Sequence, residues 1–183
     1  MVVRRKRIQQ IVLELLESNV VNQPPVPVER IAKSQRLTIL KQRLRQRNGM
    51  NDISGFLFSR GDNAVIGINT SHHSVRQRFT IAHELGHFLL HHAQAVDEIH
   101  IDRAFELRFR DDLSSQGTDI DEREANLFAA ELLMPRHFIA KDLANIREID
   151  LINDDFAKAL ADRYGTSSQA MLFRLANLGY MKQ

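Results

Sequence analysis

The sequence predicts an α+β protein. Its strands are predicted from residues 53–59 and 64–70, two apolar, β-prone runs separated by the turn residues R-G-D-N at 60–63, a pattern typical of a β-hairpin. Its helices are predicted from apolar residues that recur at helical spacing on both sides of this hairpin. The chain has 183 residues, 43% of them hydrophobic, and can bury one sizeable core. We therefore expect residues 1–183 to form a single domain.

Composition narrows the possible function classes. The absence of cysteine excludes disulfides, zinc-finger thiolates and a cysteine nucleophile, and it fits the reducing cytoplasm, where we expect the protein to work. The first apolar stretch, residues 8–16, is interrupted by Gln9, Gln10 and Glu14, so it lacks a signal-peptide core. No run approaches the roughly 20 apolar residues of a membrane span. A net charge of +2 is too small to indicate a nucleic-acid partner.

Two helices are predicted before the hairpin. The first opens with R-R-K-R at residues 4–7 and should end near Ser18 and Asn19. The favoured interpretation of its basic quartet is a solvated helix start, and a contact with phosphates is the alternative. The proline-rich residues 24–27 form a stiff connector to a short helix at 28–34.

Basic residues alternate along the next segment, which places them on one face of a strand. Such a stripe either meets an acidic partner or protects a sheet edge from aggregation, and the second interpretation is favoured. The residues are Lys41, Arg43, Arg45 and Arg47.

The stretch at residues 74–92, S-V-R-Q-R-F-T-I-A-H-E-L-G-H-F-L-L-H-H, predicts a long helix. Ser74 and Gln77 have the spacing of a capping box, and no proline interrupts the residues that follow. Apolar residues lie on more than one side of this helix, as expected for a helix in the protein interior.

The same helix carries the H-E-x-x-H pattern of metalloproteases. His83 and His87 are one turn apart and can point at a single ion, while Glu84 lies about 100° round the helix, within reach of a metal-bound water as general base. The alternative is a chance match in which hydrogen bonds satisfy both histidines.

A third protein ligand is expected, because catalytic zinc usually takes three. It should come from a second helix, predicted at residues 120–134, which Thr118 and Asp119 would cap and Pro135 would stop. Glu122 is the favoured ligand. Glu124, about 200° round the helix, is the alternative.

The choice of Glu122 rests on its neighbours. It shares a helix face with Asn126 and with three alanines, which would let another helix approach closely, and Gly86 offers a matching flat spot. Asp119 and Glu122 also have the spacing of an ordinary capping box, which would give Glu122 a different role.

The C-terminal half contains two weaker patterns. Phe105, Leu107 and Phe109 alternate and predict a short strand. Residues 155–178, interrupted by Gly165, resemble a helix-turn-helix.

A DNA-reading second helix should expose several basic or amide side chains, whereas residues 167–178 offer only Gln169, Arg174 and Asn177. We therefore expect residues 153–180 to be a helical pair that packs on the core as part of the same domain. Direct DNA binding is not expected.

Two blocks of the sequence together resemble the ImmA/IrrE family of metallopeptidases. They are residues 76–91, R-Q-R-F-T-I-A-H-E-L-G-H-F-L-L-H, and residues 114–135, S-S-Q-G-T-D-I-D-E-R-E-A-N-L-F-A-A-E-L-L-M-P. The resemblance implies a zincin-like fold, in which the active-site helix packs on a small twisted sheet with several helices around it. It also implies zinc held by His83, His87 and Glu122, with Glu84 as the base. Asn126 matches the family position where an outer partner orients a histidine.

The resemblance further implies a zinc metalloendopeptidase that cleaves a helix-turn-helix transcriptional repressor and so releases stress or mobile-element genes. The alternative is a non-catalytic zinc-containing module that grips a repressor, an antitoxin-like partner or DNA.

Three further expectations concern the site. The substrate peptide should lie extended beside residues 64–70, because that strand is expected to be an exposed edge that supplies main-chain hydrogen bonds. Tyr164, Tyr180 and His137 are candidates for the oxyanion stabiliser, and His91 is expected to have a surface role rather than to bind zinc.

Overall fold

The computed structural model describes residues 3–43, 53–60, 63–90, 99–103, 118–144 and 154–181. These residues form helices and one β-sheet, so the predicted α+β class is confirmed. The helices are α1 (Arg5–Ser18), α2 (Val28–Ser34), α3 (Ser74–Leu89), α4 (Thr118–Leu133), α5 (Arg136–Leu143), α6 (Asp154–Tyr164) and α7 (Ser168–Asn177). The strands are β1 (Leu37–Gln42), β2 (Ile53–Arg60), β3 (Asn63–Asn69) and β4 (Ile99–Arg103).

The sheet has the strand order β1-β3-β2-β4. Strands β2 and β3 pair antiparallel, which confirms the predicted hairpin, although Gly61 and Asp62 of its turn lie outside the described residues. β1 is parallel to β3, and β4 is antiparallel to β2. The expectation that residues 64–70 offer an exposed edge is therefore wrong, because β3 is flanked by a strand on each side.

β1 is an edge strand of this sheet, so the favoured interpretation of the basic stripe is confirmed at Lys41, whereas Arg43 lies just after the strand. Leu37 is buried, but the strand is mostly exposed from Thr38 onward. Lys41 forms an ion pair with Glu29 of α2 at 2.6 Å. Arg45 and Arg47 lie outside the described residues.

Helix α3 lies in the centre of the molecule and packs against the sheet and α4. Every residue from Thr80 to His87 is buried, as predicted from its apolar residues on several sides. A Cβ atom on Gly86 would lie 3.2 Å from the Cα of Ala125. This close approach confirms the predicted match between Gly86 and the alanine face of α4.

Both N-terminal ends of these helices differ from the prediction. His73, not Ser74, is the N-cap of α3, and its Nδ1 accepts a hydrogen bond from the Val75 amide. The Gln77 side chain donates to the His72 carbonyl at 2.8 Å, so the capping box at Ser74 is wrong by one residue. Thr118 and Asp119 lie inside α4 rather than before it.

The two C-terminal helices pack on the core, as the favoured interpretation predicts. Tyr164, Met171 and Leu175 are fully buried in the same hydrophobic cluster as α1 and α3. Arg174 is also buried, and its guanidinium binds Glu131 of α4 and the Met134 carbonyl.

Two elements were not predicted. β4 follows an alternation of Ile99 and Ile101, and α5 begins directly after Pro135. The predicted strand at Phe105, Leu107 and Phe109 lies outside the described residues. Within the described parts of the chain, no helix has the length and apolar character needed to cross a membrane.

Candidate metal centre

Helix α3 supplies two imidazoles to one point. The Nε2 atoms of His83 and His87 lie 3.0 Å apart, with ring centroids separated by 4.6 Å. Both side chains are almost completely buried, and Glu84, between them in the sequence, is buried as well. The predicted spacing of one helical turn therefore brings the two nitrogens together.

Helix α4 supplies a carboxylate to the same point. The two oxygens of Glu122 lie 3.3 Å from His83 Nε2 and 3.3 Å from His87 Nε2. The side chain of Glu122 is 31% exposed, whereas those of the histidines are 2% and 1% exposed. Among the three side chains of the cluster, that of Glu122 is therefore the most accessible to solvent.

Asn126 determines which nitrogen of His83 is available. Its Oδ1 lies 3.0 Å from His83 Nδ1, one turn along α4 from Glu122. With the amide oxygen in this place, Nδ1 carries the proton and donates it, so the lone pair is on Nε2, the atom that faces the cluster. The structure therefore puts Asn126 in contact with a histidine, as the resemblance implies.

Glu124 points away from the cluster, toward Arg4, the N-cap residue of α1. Arg4 Nε lies 3.0 Å and 2.9 Å from the two oxygens of Glu124, and its backbone amide donates to one of them at 2.7 Å. This hydrogen bonding raises the pKa of Arg4 above its ordinary value. The alternative that Glu124 completes the cluster is not supported, because its carboxylate is already engaged on the other side of α4.

The three side chains fit a transition-metal ion. His83, His87 and Glu122 each offer one ligand atom, and these atoms all lie within 4.8 Å of one another. Two imidazole nitrogens and one carboxylate oxygen are a ligand set that zinc uses in hydrolytic enzymes. A positive ion would also be attracted to the carboxylate and to the imidazole nitrogens that converge in this largely buried site.

Phe79 is a neighbour of the cluster that the sequence interpretation missed. Its ring stacks against His83 with centroids 6.0 Å apart and an interplanar angle of 28°. Phe79 precedes His83 by one helical turn, so the i, i+4 rule could have identified this contact.

The oxyanion candidates lie in different surroundings. The Tyr164 side chain is buried, and its hydroxyl donates to Asp142 at 2.9 Å, which commits it to the contact between α5 and α6. His137 is exposed and contacts the ring of Phe138. Tyr180 is half-buried and packs against the hydrophobic core. His91 lies outside the described residues.

Comparison with known proteins identifies a family. No curated protein matches the chain. The model of the IrrE N-terminal-like domain, Peptidase_M78, matches residues 39–176, which include α3, α4 and the whole His-His-Glu cluster. This match spans most of the sequence and agrees with the resemblance read from the two sequence blocks. The chain belongs to the Peptidase_M78 family of peptidases.

Proposed function

We propose that this protein is a zinc-dependent endopeptidase whose zinc is held by His83, His87 and Glu122. The observation that carries the proposal is the convergence of these three side chains, with the carboxylate of Glu84 on the same helix as both imidazoles. A purely structural zinc site has no need of a general base beside its ligands. The partial exposure of Glu122 supports the same conclusion, because structural zinc sites are usually closed.

The chemistry follows from the roles of the side chains. Zinc held by His83, His87 and Glu122 would supply a Lewis acid for the scissile carbonyl and would make a bound water more acidic. Glu84 accepts the proton of the attacking water on its carboxylate and passes it to the leaving amine. Asn126 holds the His83 ring through Nδ1, so that Nε2 keeps its direction during the reaction.

We infer that the substrate is a helix-turn-helix transcriptional repressor, and that cleavage releases stress or mobile-element genes. This inference rests on the ImmA/IrrE resemblance. A peptide that pairs with the sheet through main-chain hydrogen bonds needs an edge strand. Within the described sheet these edges are β1 and β4. Since such pairing reads little sequence, we expect specificity to come from docking on the folded repressor, and generic peptides to be poor substrates.

The alternative function, gripping a partner without cutting it, gains no specific support from the structure. DNA binding by such a module would use α7, the second helix of the C-terminal pair. Arg174 of that helix is buried against Glu131, which leaves Gln169 and Asn177 as its exposed candidates for base contacts.

The test is co-expression with the repressor-like product of a neighbouring gene, comparing wild type with Glu84→Gln. The variant should lose about 10²–10⁴-fold in cleavage rate while it retains zinc. Glu17→Gln, the same change on the exposed face of α1, is the matched control and should cut normally. Equal cleavage by wild type and Glu84→Gln would refute the mechanism. No cleavage by either protein would favour the gripping function.

A further inference from the structure

An arginine at the start of the chain engages the helix that carries Glu122. Arg4 directs its backbone amide, Nε and Nη2 at the carboxylate of Glu124 on α4. The two residues are 120 positions apart in the sequence. Arg4 also lies outside residues 39–176, so the family match does not include it.

Glu124 lies on the same helix as Glu122 and Asn126, so the contact with Arg4 can affect where those two side chains point. Glu124 lies two residues after Glu122 and two before Asn126, on the opposite side of the helix. A carboxylate held on one side restrains rotation of α4 about its axis, in addition to the close packing of α4 against α3. The rotation of α4 in turn sets where Glu122 and Asn126 point, and both contact the histidines.

The contact joins a buried carboxylate to an arginine side chain that is 39% exposed. The Glu124 side chain is 1% exposed, and a buried carboxylate is costly unless it is paired and hydrogen-bonded. Arg4 meets it with a two-pronged guanidinium, the geometry that lysine cannot reproduce. Arg4 Nη2 also reaches the carbonyl of Leu90, the C-cap of α3, at 3.5 Å. One side chain thus contacts both helices that form the cluster.

We propose that Arg4 is a positioning residue of the metal centre, which orients Glu122 and Asn126 through Glu124. The inference rests on the proposed metal-binding function of the cluster. The proposal gives Arg4, which precedes the matched residues 39–176, a role in positioning the metal ligands.

The same helix offers a matched control. Arg174 binds Glu131 of α4, with distances of 2.9 and 2.5 Å from its two terminal nitrogens to the carboxylate. This second Arg–Glu pair is more buried than the first, since the Arg174 and Glu131 side chains are 4% and 8% exposed whereas that of Arg4 is 39% exposed. Glu131 lies nine residues from Glu122, about 13.5 Å along the helix axis. Breaking it should loosen the packing of α4 without changing the direction of the ligands.

The experiment compares wild type, Arg4→Lys and Arg174→Lys. Zinc affinity is measured by competition with a coloured chelator, at a temperature where circular dichroism shows every protein folded. The visible spectrum of the cobalt(II)-loaded protein reports ligand geometry. Arg4→Lys should bind zinc about tenfold more weakly and show a changed cobalt spectrum. Arg174→Lys should keep the affinity and spectrum of wild type, even if it melts at a lower temperature.

Two results with folded variants would count against the proposal. Wild-type affinity in Arg4→Lys would overturn it, and an equal loss in both variants would show general loosening instead of positioning. If Arg4→Lys does not fold, the double variant Arg4→Gln/Glu124→Gln replaces it, because it leaves no unpaired buried charge. Wild-type affinity in that variant would again overturn the proposal. If wild type itself fails to bind zinc, the proposed function fails first and the inference falls with it.

Discussion

The position of the proton on the His83 ring is set by a single side chain. His83 donates from Nδ1 to Asn126, so its Nε2 is available to a metal. The preference for Glu122 over Glu124 could be argued from the sequence, because Glu122 shares a face with Asn126 and the alanines. The partner of Glu124 could not be predicted, since Arg4 is remote in the sequence and the contact depends on how α1 docks against α4.

Replacing Asn126 with alanine removes the acceptor for His83 Nδ1. Zinc affinity should fall about 10–100-fold, the usual cost of losing an outer partner, because the ring is then less well oriented and its tautomer is no longer fixed. Chelator competition measures the effect. Asn177→Ala, which deletes the same amide from an exposed position of α7, should bind zinc as wild type does. Equal affinities of all three proteins would remove Asn126 from the account.

Tyr164 makes a prediction about alkaline pH. Burial and the hydrogen bond to Asp142 raise the pKa of its hydroxyl above the ordinary value of 10.0. The unfolded state therefore loses this proton before the folded state does as the pH rises. The contribution of the protonated Tyr164 hydroxyl to the free energy of unfolding is complete below about pH 10. Above that pH the free energy of unfolding falls by up to about 1.4 kcal/mol per pH unit.

Urea unfolding from about pH 8 to about pH 11, a range that spans the ordinary tyrosine pKa, tests this prediction. Tyr164→Phe should remove much of the alkaline decline, at a cost of about 1 kcal/mol near neutral pH for the lost hydrogen bond. Tyr180→Phe is the control and should keep the decline. An unchanged slope in Tyr164→Phe would show that its hydroxyl is not the group responsible.

Helices and strands were predicted where the signal was local. The hairpin of β2 and β3, the helices α1 to α4 and the C-terminal pair all follow from periodicity and turn residues. The arrangement of β1 beside β3 could not be predicted, because a parallel partner is joined through a long connection and not through a turn. For that reason the exposed edge was assigned to the wrong strand. Helix α5 had a usable signal, since Phe138, Ile139 and Leu143 have helical spacing after Pro135.

The close approach of α3 and α4 predicts the effect of a larger residue at Gly86. A single added Cβ already lies 3.1 Å from Phe128 Cδ1 and 3.2 Å from the Ala125 backbone. Gly86→Val adds two more carbons, so the helices must separate at a cost of about 1–3 kcal/mol. The separation moves Glu122 away from the histidines, and zinc affinity should fall as well.

Urea unfolding and chelator competition measure the two effects of Gly86→Val. Ala176→Val places the same β-branched side chain at an exposed helical position in α7 and should alter neither by much. Undiminished stability and zinc affinity in Gly86→Val would contradict the account of how these helices fit together.

The molecule as a whole extends beyond the matched domain, because its N-terminal helices pack into the same core. The family match begins at residue 39, so α1 and α2 precede it. Both helices nevertheless contribute buried side chains to the core that surrounds α3, among them Ile8, Leu16 and Ile31. Helix α3, enclosed by helices and a mixed sheet, places the proposed metal ligands His83 and His87 on a rigid element, as the proposed catalytic site would require.

The zinc content of the purified protein tests the central claim most directly. Wild type, equilibrated with zinc and passed through a desalting column, should retain about one zinc ion per chain by elemental analysis. His83→Ala and His87→Ala should each retain almost none, while His137→Ala, which removes an exposed imidazole, should match wild type. Wild type without zinc, or equal zinc in wild type and His83→Ala, would contradict the assignment of this cluster as the metal centre.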